Sequence, residues 1–206
     1  SVGGFQNGLV ANSSATGTQI VCNLVGLDTD GVTSAANAGH GVSIVDGSTG
    51  VVIGSAYNTG SISNANIIAY NGGDGISLTG SASNTAVLRL NTFFSNVGLA
   101  VDLDNNDVTV NDANDSDTGV NARLNFPIIL TATALSGGTI LIEGCSPAGS
   151  QVDIYKADSA VSNIFAPRTL NYGEGATYLA SFIEGSGSDT DSGTCSSPAN
   201  DVDGNN

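Results

Sequence analysis

The chain has 206 residues, and its 19 acidic side chains against four strong cations leave a formal charge of −15. A surface that acidic argues against nucleic acid or an anionic membrane as partner, and no apolar run is long enough to insert across a bilayer. Helix formers are scarce while Gly, Ser, Thr, Asn and Val dominate, so short strands and corners are expected throughout.

The first strands are predicted around Gly8-Leu9-Val10 and from Gln19 to Val21. Cys22 follows in "QIVCNLV", alternating with apolar neighbours, and is expected to be a buried thiol. Asn23-Leu24-Val25-Gly26 opens a phrase that recurs along the chain. Gly39-His40-Gly41-Val42-Ser43-Ile44 matches Gly73-Asp74-Gly75-Ile76-Ser77-Leu78, 34 residues on. "NIIAYNGGDGISL", starting at Asn66, returns 25 residues later from Asn91 to Leu103. The longer first interval places an inserted loop at Ser55 to Asn64. A recurring unit of this length, made of strands and corners, is the signature of a solenoid.

In a coil of parallel strands, each turn stacks about 4.8 Å above the last and inward side chains form columns. Val42, Ile44, Ile76, Leu78, Leu99, Val101 and Leu103 are expected in those columns. Asn71 is expected to lie over Asn96 in an asparagine ladder at a corner. His40 is the one histidine and the natural general base near neutral pH. The register gives it a plainer role, because it takes the corner slot that Asp74 holds in the next copy. Arg89, in "AVLRLN", reads as an outward-facing strand residue.

Beyond the last copy the chain turns acidic. Asp102, Asp104, Asn106 and Asp107 are followed by Asp112, Asn114, Asp115 and Asp117. Oxygen-bearing side chains at alternate positions of a loop suit a hard cation, so Ca²⁺ is the expected ligand of this region. Solvated Asp/Asn turns are the alternative. The same alternative is favoured for Asp28 and Asp30, for Asp189 and Asp191, and for Asp201 and Asp203, where the pattern is thinner. None of these stretches has the glutamate that an EF-hand loop requires.

Strands are predicted at Phe126–Ala132, Thr139–Glu143, Gln151–Tyr155 and Tyr178–Ile183, alternating enough for a sheet with one buried face. Glu174, in a "GEG" corner, reads as a solvated acid rather than a ligand. Cys145 and Cys195 form a disulfide or stay free; a bond suits an extracellular protein. With no Met in the chain and no closing strand before "DVDGNN", an excised piece of a longer product is expected.

Three stretches carry a family resemblance: "CNLVGLDTDGVTSAANAGHGVSI", "NIIAYNGGDGISL" and "NTFFSNVGLAVDLDNNDVTVNDANDSDTGVNARLNFPI". They resemble the right-handed parallel β-helix repeats of large bacterial secreted and cell-surface proteins. In that family the last coil leads through an acidic segment into an immunoglobulin-like β-sandwich, and "VDIYKAD" and "YGEGATYLASF" resemble strands of that domain. The resemblance implies an all-β chain with a short right-handed parallel β-helix at 1–108, an acidic linker at 109–125 and an Ig-like β-sandwich at 126–206.

Two carboxylates facing across a cleft, or a cation beside metal-binding acids, would mark a polysaccharide hydrolase or lyase. The coil strands carry almost no acids, and the chain has no Trp platform for a sugar. The expectation is therefore a non-catalytic structural module, secreted or on the cell surface, that self-associates head to tail through open strand edges. A glycan-binding adhesin module with a surface target and a polysaccharide-degrading enzyme are the alternatives.

Overall fold

Short apolar and β-branched runs, broken by Asn and Gly corners, make strands of two or three residues through the first half of the chain. The computed structural model describes residues 1–12, 15–56, 62–80, 86–112, 115–147, 149–158 and 173–186. The chain is all-β, and among the described residues its helical content is limited to 3-10 turns such as Ile62–Asn64 and Val120–Arg123.

The strands β1 (Leu9–Ala11), β2 (Gln19–Ile20), β3 (Leu24–Val25), β4 (Val42–Ile44) and β5 (Val52–Gly54) are followed by β6 (Ile67–Ala69) and β7 (Ile76–Leu78). Then come β8 (Val87–Arg89), β9 (Thr92–Phe94) and β10 (Val101–Leu103). They sort into three parallel sheets, ordered β1-β4-β7-β10, β2-β5-β8 and β3-β6-β9. Every third strand thus lies on the one three places earlier, so the chain stacks on itself turn by turn. The register follows the repeat: Val42 pairs with Ile76 and Ile44 with Leu78, and these in turn with Val101 and Leu103.

The expected columns are largely in place. Val42, Ile44, Ile76 and Leu78 have no exposure, and they pack with Val25, Ile53, Ile68 and Phe93 in one core. Val101 and Leu103 are partly buried against it. Two glycines are obligatory where turns meet most closely. Gly26 (φ +80°) and Gly54 (φ +88°) are left-handed, and an added Cβ would strike the carbonyl oxygen of Ala69 and of Arg89 respectively.

The later strands are β11 (Ile128–Ala134), β12 (Ile140–Cys145), β13 (Gln151–Ala157) and β14 (Gly175–Ile183). They overlap the four predicted strands with shifted ends. β11 starts after Pro127 because the Asn111 side chain holds both backbone groups of Phe126. Its Nδ2 donates to the Phe126 carbonyl at 2.8 Å, and its Oδ1 accepts the Phe126 N–H at 2.9 Å. Among the described residues these strands form two two-stranded sheets, β11–β12 and β13–β14, with no larger sandwich.

Contacts divide the chain into two compact units that interleave in sequence. One comprises Ser1–Thr109, Gly119–Asn121 and the described residues of Asp153–Ala180; the other comprises Val110–Thr118, Ala122–Val152 and those from Ser181.

Candidate functional site

The polar residues buried in the first unit are organised along the stacking direction. One asparagine ladder runs Asn37–Asn71–Asn96. Asn37 Nδ2 donates to Asn71 Oδ1 at 2.9 Å, and Asn71 Nδ2 donates to Asn96 Oδ1 at 2.8 Å. A second runs Asn23–Asn66–Asn91, with Nδ2 to Oδ1 distances of 3.2 and 2.8 Å. Backbone N–H groups add to both: Asn71 N–H also donates to Asn96 Oδ1, and Asn66 N–H to Asn91 Oδ1. Four of the six corners that present these side chains share one conformation. Cys22, Tyr70, Leu90 and Ser95, each just before a ladder asparagine, are left-handed with φ between 56° and 59°.

That conformation overturns the expectation for Cys22. A left-handed corner swings its side chain out of the strand alternation, and the Cys22 thiol is free and exposed, with Sγ 3.1 Å from the Ser63 carbonyl oxygen.

A third ladder runs through the slot shared by His40 and Asp74. Asn7 Oδ1 accepts the His40 N–H at 3.0 Å, His40 Nδ1 accepts the Asp74 N–H at 3.1 Å, and Asp74 Oδ1 accepts the Leu99 N–H at 2.8 Å. Asp74 Oδ2 also lies 3.1 Å from Nδ1. The His–Asp pair therefore looks like part of a catalytic set, but its geometry is that of a stacking element. The recurring Gly-x-Gly frame around both residues was the sequence signal for it.

The last turn meets residues 153–158 and 173–180 through two buried side-chain contacts that sequence reasoning missed. Arg89, expected to face outward, is 7% exposed. Its Nη2 and Nε bind the two carboxylate oxygens of Asp153 at 2.6 and 3.1 Å. Glu174, expected to be solvated, is 1% exposed. Its Oε1 accepts from Asn96 Nδ2 at 2.7 Å and its Oε2 from the Asn96 N–H at 2.9 Å. Asn96 thus meets in Glu174 what Asn71 meets in Asn96, and the carboxyl group stands where the next asparagine would. Burial pushes the Glu174 carboxyl up to about 7; its bonds to Asn96 offset part of that, and the Asp158 charge adds to it. Nearby, Tyr155 packs edge-on against Tyr178, with ring centroids 5.8 Å apart. Burial, then the Asp153 charge, drives the Tyr155 phenol far above its usual range.

Of the acidic residues expected to bind Ca²⁺, three converge. One oxygen from each of Asp112, Asp115 and Asp117 lies within 4.8 Å of the others. Loop contacts position the first two. Asp112 accepts the Ser116 N–H at 3.1 Å and the Ser116 hydroxyl at 2.6 Å, and Asp115 accepts the Asn125 N–H at 2.7 Å. Asn125 pins the same loop by bonding the backbone N–H and carbonyl of Asp112. Three hard oxygen donors at this spacing could hold a metal ion.

Asp102, Asp104, Asn106 and Asp107 belong to the other unit. There the buried Asp102 carboxylate accepts the N–H groups of Asn106 and Asp107 at 3.2 and 3.0 Å, which makes it a turn cap. Asp28 and Asp30 also hold their own turn. Asp30 accepts from the Val32 and Thr33 amides, and its bonds to the Thr33 hydroxyl and these amides keep its carboxyl below the usual range. Asn114, Asp189, Asp191, Asp201 and Asp203 lie outside the described residues. Cys145 is disulfide-bonded; Cys195, its expected partner, also lies outside them.

No protein-family model matches the chain, and no curated protein and no solved structure is significantly similar to it.

Proposed function

We propose that the chain is a non-catalytic structural module of a secreted or cell-surface fibre, built as a short right-handed parallel β-helix followed by an immunoglobulin-like β-sandwich. The observation that carries this reading is the set of three ladders. The Asn, His and Asp side chains of the stack bond the neighbouring turn rather than converge on a cleft. A stack stiffened in this way suits a load-bearing rod.

The strand edges support head-to-tail self-association as part of this reading. Each of the two-stranded sheets, β11–β12 and β13–β14, has outer edges among the described residues. Ile129, Leu130, Ile140 and Leu141 on the first of them are exposed. A strand donated by a second copy would complete such a sheet through main-chain bonds, and a repeated heterologous contact of that kind gives a filament. Asp112, Asp115 and Asp117 would hold a Ca²⁺ ion that tightens the loop leading into β11 and lowers the self-repulsion of a chain at −15.

Electron microscopy in millimolar Ca²⁺ and after chelation tests the assembly. Filaments that fray on chelation are expected, and dispersed single particles in both conditions would overturn it. Calorimetric titration of Ca²⁺ tests the ion separately. A saturable heat that disappears in Asp115→Asn/Asp117→Asn is expected, and equal heats in both proteins would remove the site.

A further inference from the structure

We propose that Glu174 is a pH-dependent clasp: its side chain closes the asparagine ladder of the last turn, and ionising it loosens the hold of residues 153–158 and 173–180 on that turn. The geometry of the site is that of a ladder terminus. Asn37, Asn71 and Asn96 are neutral, so each bond between them is insensitive to pH. Glu174 occupies the next position with the same two donors from Asn96, but it is the one titratable group in the series. Both donors that Asn96 offers it are uncharged, and it has almost no access to water. A carboxylate there loses its hydration without gaining a cation, so the neutral acid is the favoured occupant.

The neighbouring charges do not relieve this. On β13, Asp153 is taken up by Arg89, Lys156 is exposed, and Tyr155 is held un-ionised. On β14 the titratable neighbour is Tyr178, again a phenol. Asp158, whose N–H donates to the Glu174 carbonyl at 2.9 Å, adds a like charge. The corner at Asn96 brings no cation of its own, as its neighbours Ser95 and Val97 are uncharged.

The sign follows from the raised carboxyl value. A released Glu174 ionises near its ordinary 4.5, whereas the clasped one stays protonated until about 7. The clasp is therefore tightest below 4.5, weakens as pH rises through 7, and changes little above that. Between pH 5 and pH 8 the ratio of released to clasped forms should rise on the order of 50-fold.

Amide hydrogen exchange at Asn96, expressed as a protection factor so that intrinsic exchange is divided out, reads the clasp directly. Protection at Asn96 should fall on the order of 50-fold from pH 5 to pH 8, while the amide of Ile68, in an earlier turn, keeps its protection. In Glu174→Gln, which has one acceptor oxygen and no charge, Asn96 starts less protected but shows no such fall. A wild-type protection factor unchanged with pH, or an equal fall in the variant, would overturn the proposal. Should the variant fail to fold, a ¹³C titration of the wild-type Glu174 carboxyl decides. A midpoint near 7 is expected, and one near 4.5 defeats the clasp.

Discussion

At the scale of single residues, the ladders turn a destabilising feature into an organising one. A buried primary amide is costly unless its donors and acceptor are all engaged. Asn71 satisfies Asn37 on one side and is satisfied by Asn96 on the other. Asn71→Ala should therefore cost about 2–3 kcal/mol, since Asn37 Nδ2 loses its acceptor and Asn96 Oδ1 keeps only the backbone N–H of residue 71. Urea denaturation measures this, and a loss below about 0.5 kcal/mol would mean that the ladder contributes little. Gly54 sets a different kind of limit. Its φ of +88° and the Arg89 carbonyl oxygen against it leave no room for a Cβ. Gly54→Ala should cost at least about 2 kcal/mol. A melting temperature equal to that of the wild type would contradict the close approach of these two turns.

At the scale of elements, the paired strands β13 and β14 carry the residues that meet the last turn. Arg89 and Asp153 form a buried ion pair, with side chains 8% and 11% exposed. Removing one charge strands the other, so Arg89→Met should destabilise by about 3–5 kcal/mol. The double variant Arg89→Met/Asp153→Leu should recover much of that loss, because replacing both partners removes the unpaired charge. A double variant as unstable as the single one would show that the pair contributes by packing rather than by charge. The corner between β2 and β3 gives a simpler check. Cys22 is a free, exposed thiol, so it should react with a thiol reagent in the folded protein without reductant, and peptide mapping would locate the label. A label that appears on Cys22 only after denaturation would return it to the core.

At the scale of the whole molecule, charge is the dominant condition. Nineteen acids against four strong cations repel one another, and salt screens that repulsion. Stability should therefore rise with ionic strength even without Ca²⁺. If Asp112, Asp115 and Asp117 bind the ion, millimolar Ca²⁺ should add a stabilisation that matched ionic strength from NaCl does not reproduce. Thermal melts at equal ionic strength separate the two, and coincident curves would leave only screening.

The stacking is legible in the repeats. Gly39-His40-Gly41, Asn66 to Leu78 and Asn91 to Leu103 repeat at fixed offsets, and stacking places equivalent positions above one another. The inward columns and the Asn71–Asn96 contact were legible for that reason. So was the corner slot of His40, although its bonding was not. The tertiary structure decided what the repeat cannot encode. Arg89 meets Asp153 across 64 residues and Asn96 meets Glu174 across 78. Neither pair has a second copy in the chain to set its register. Cys22 was misread because alternation predicts the facing of strand residues, whereas a left-handed corner breaks that alternation. Local periodicity fixes which residues share a column; only long-range pairing fixes what closes it.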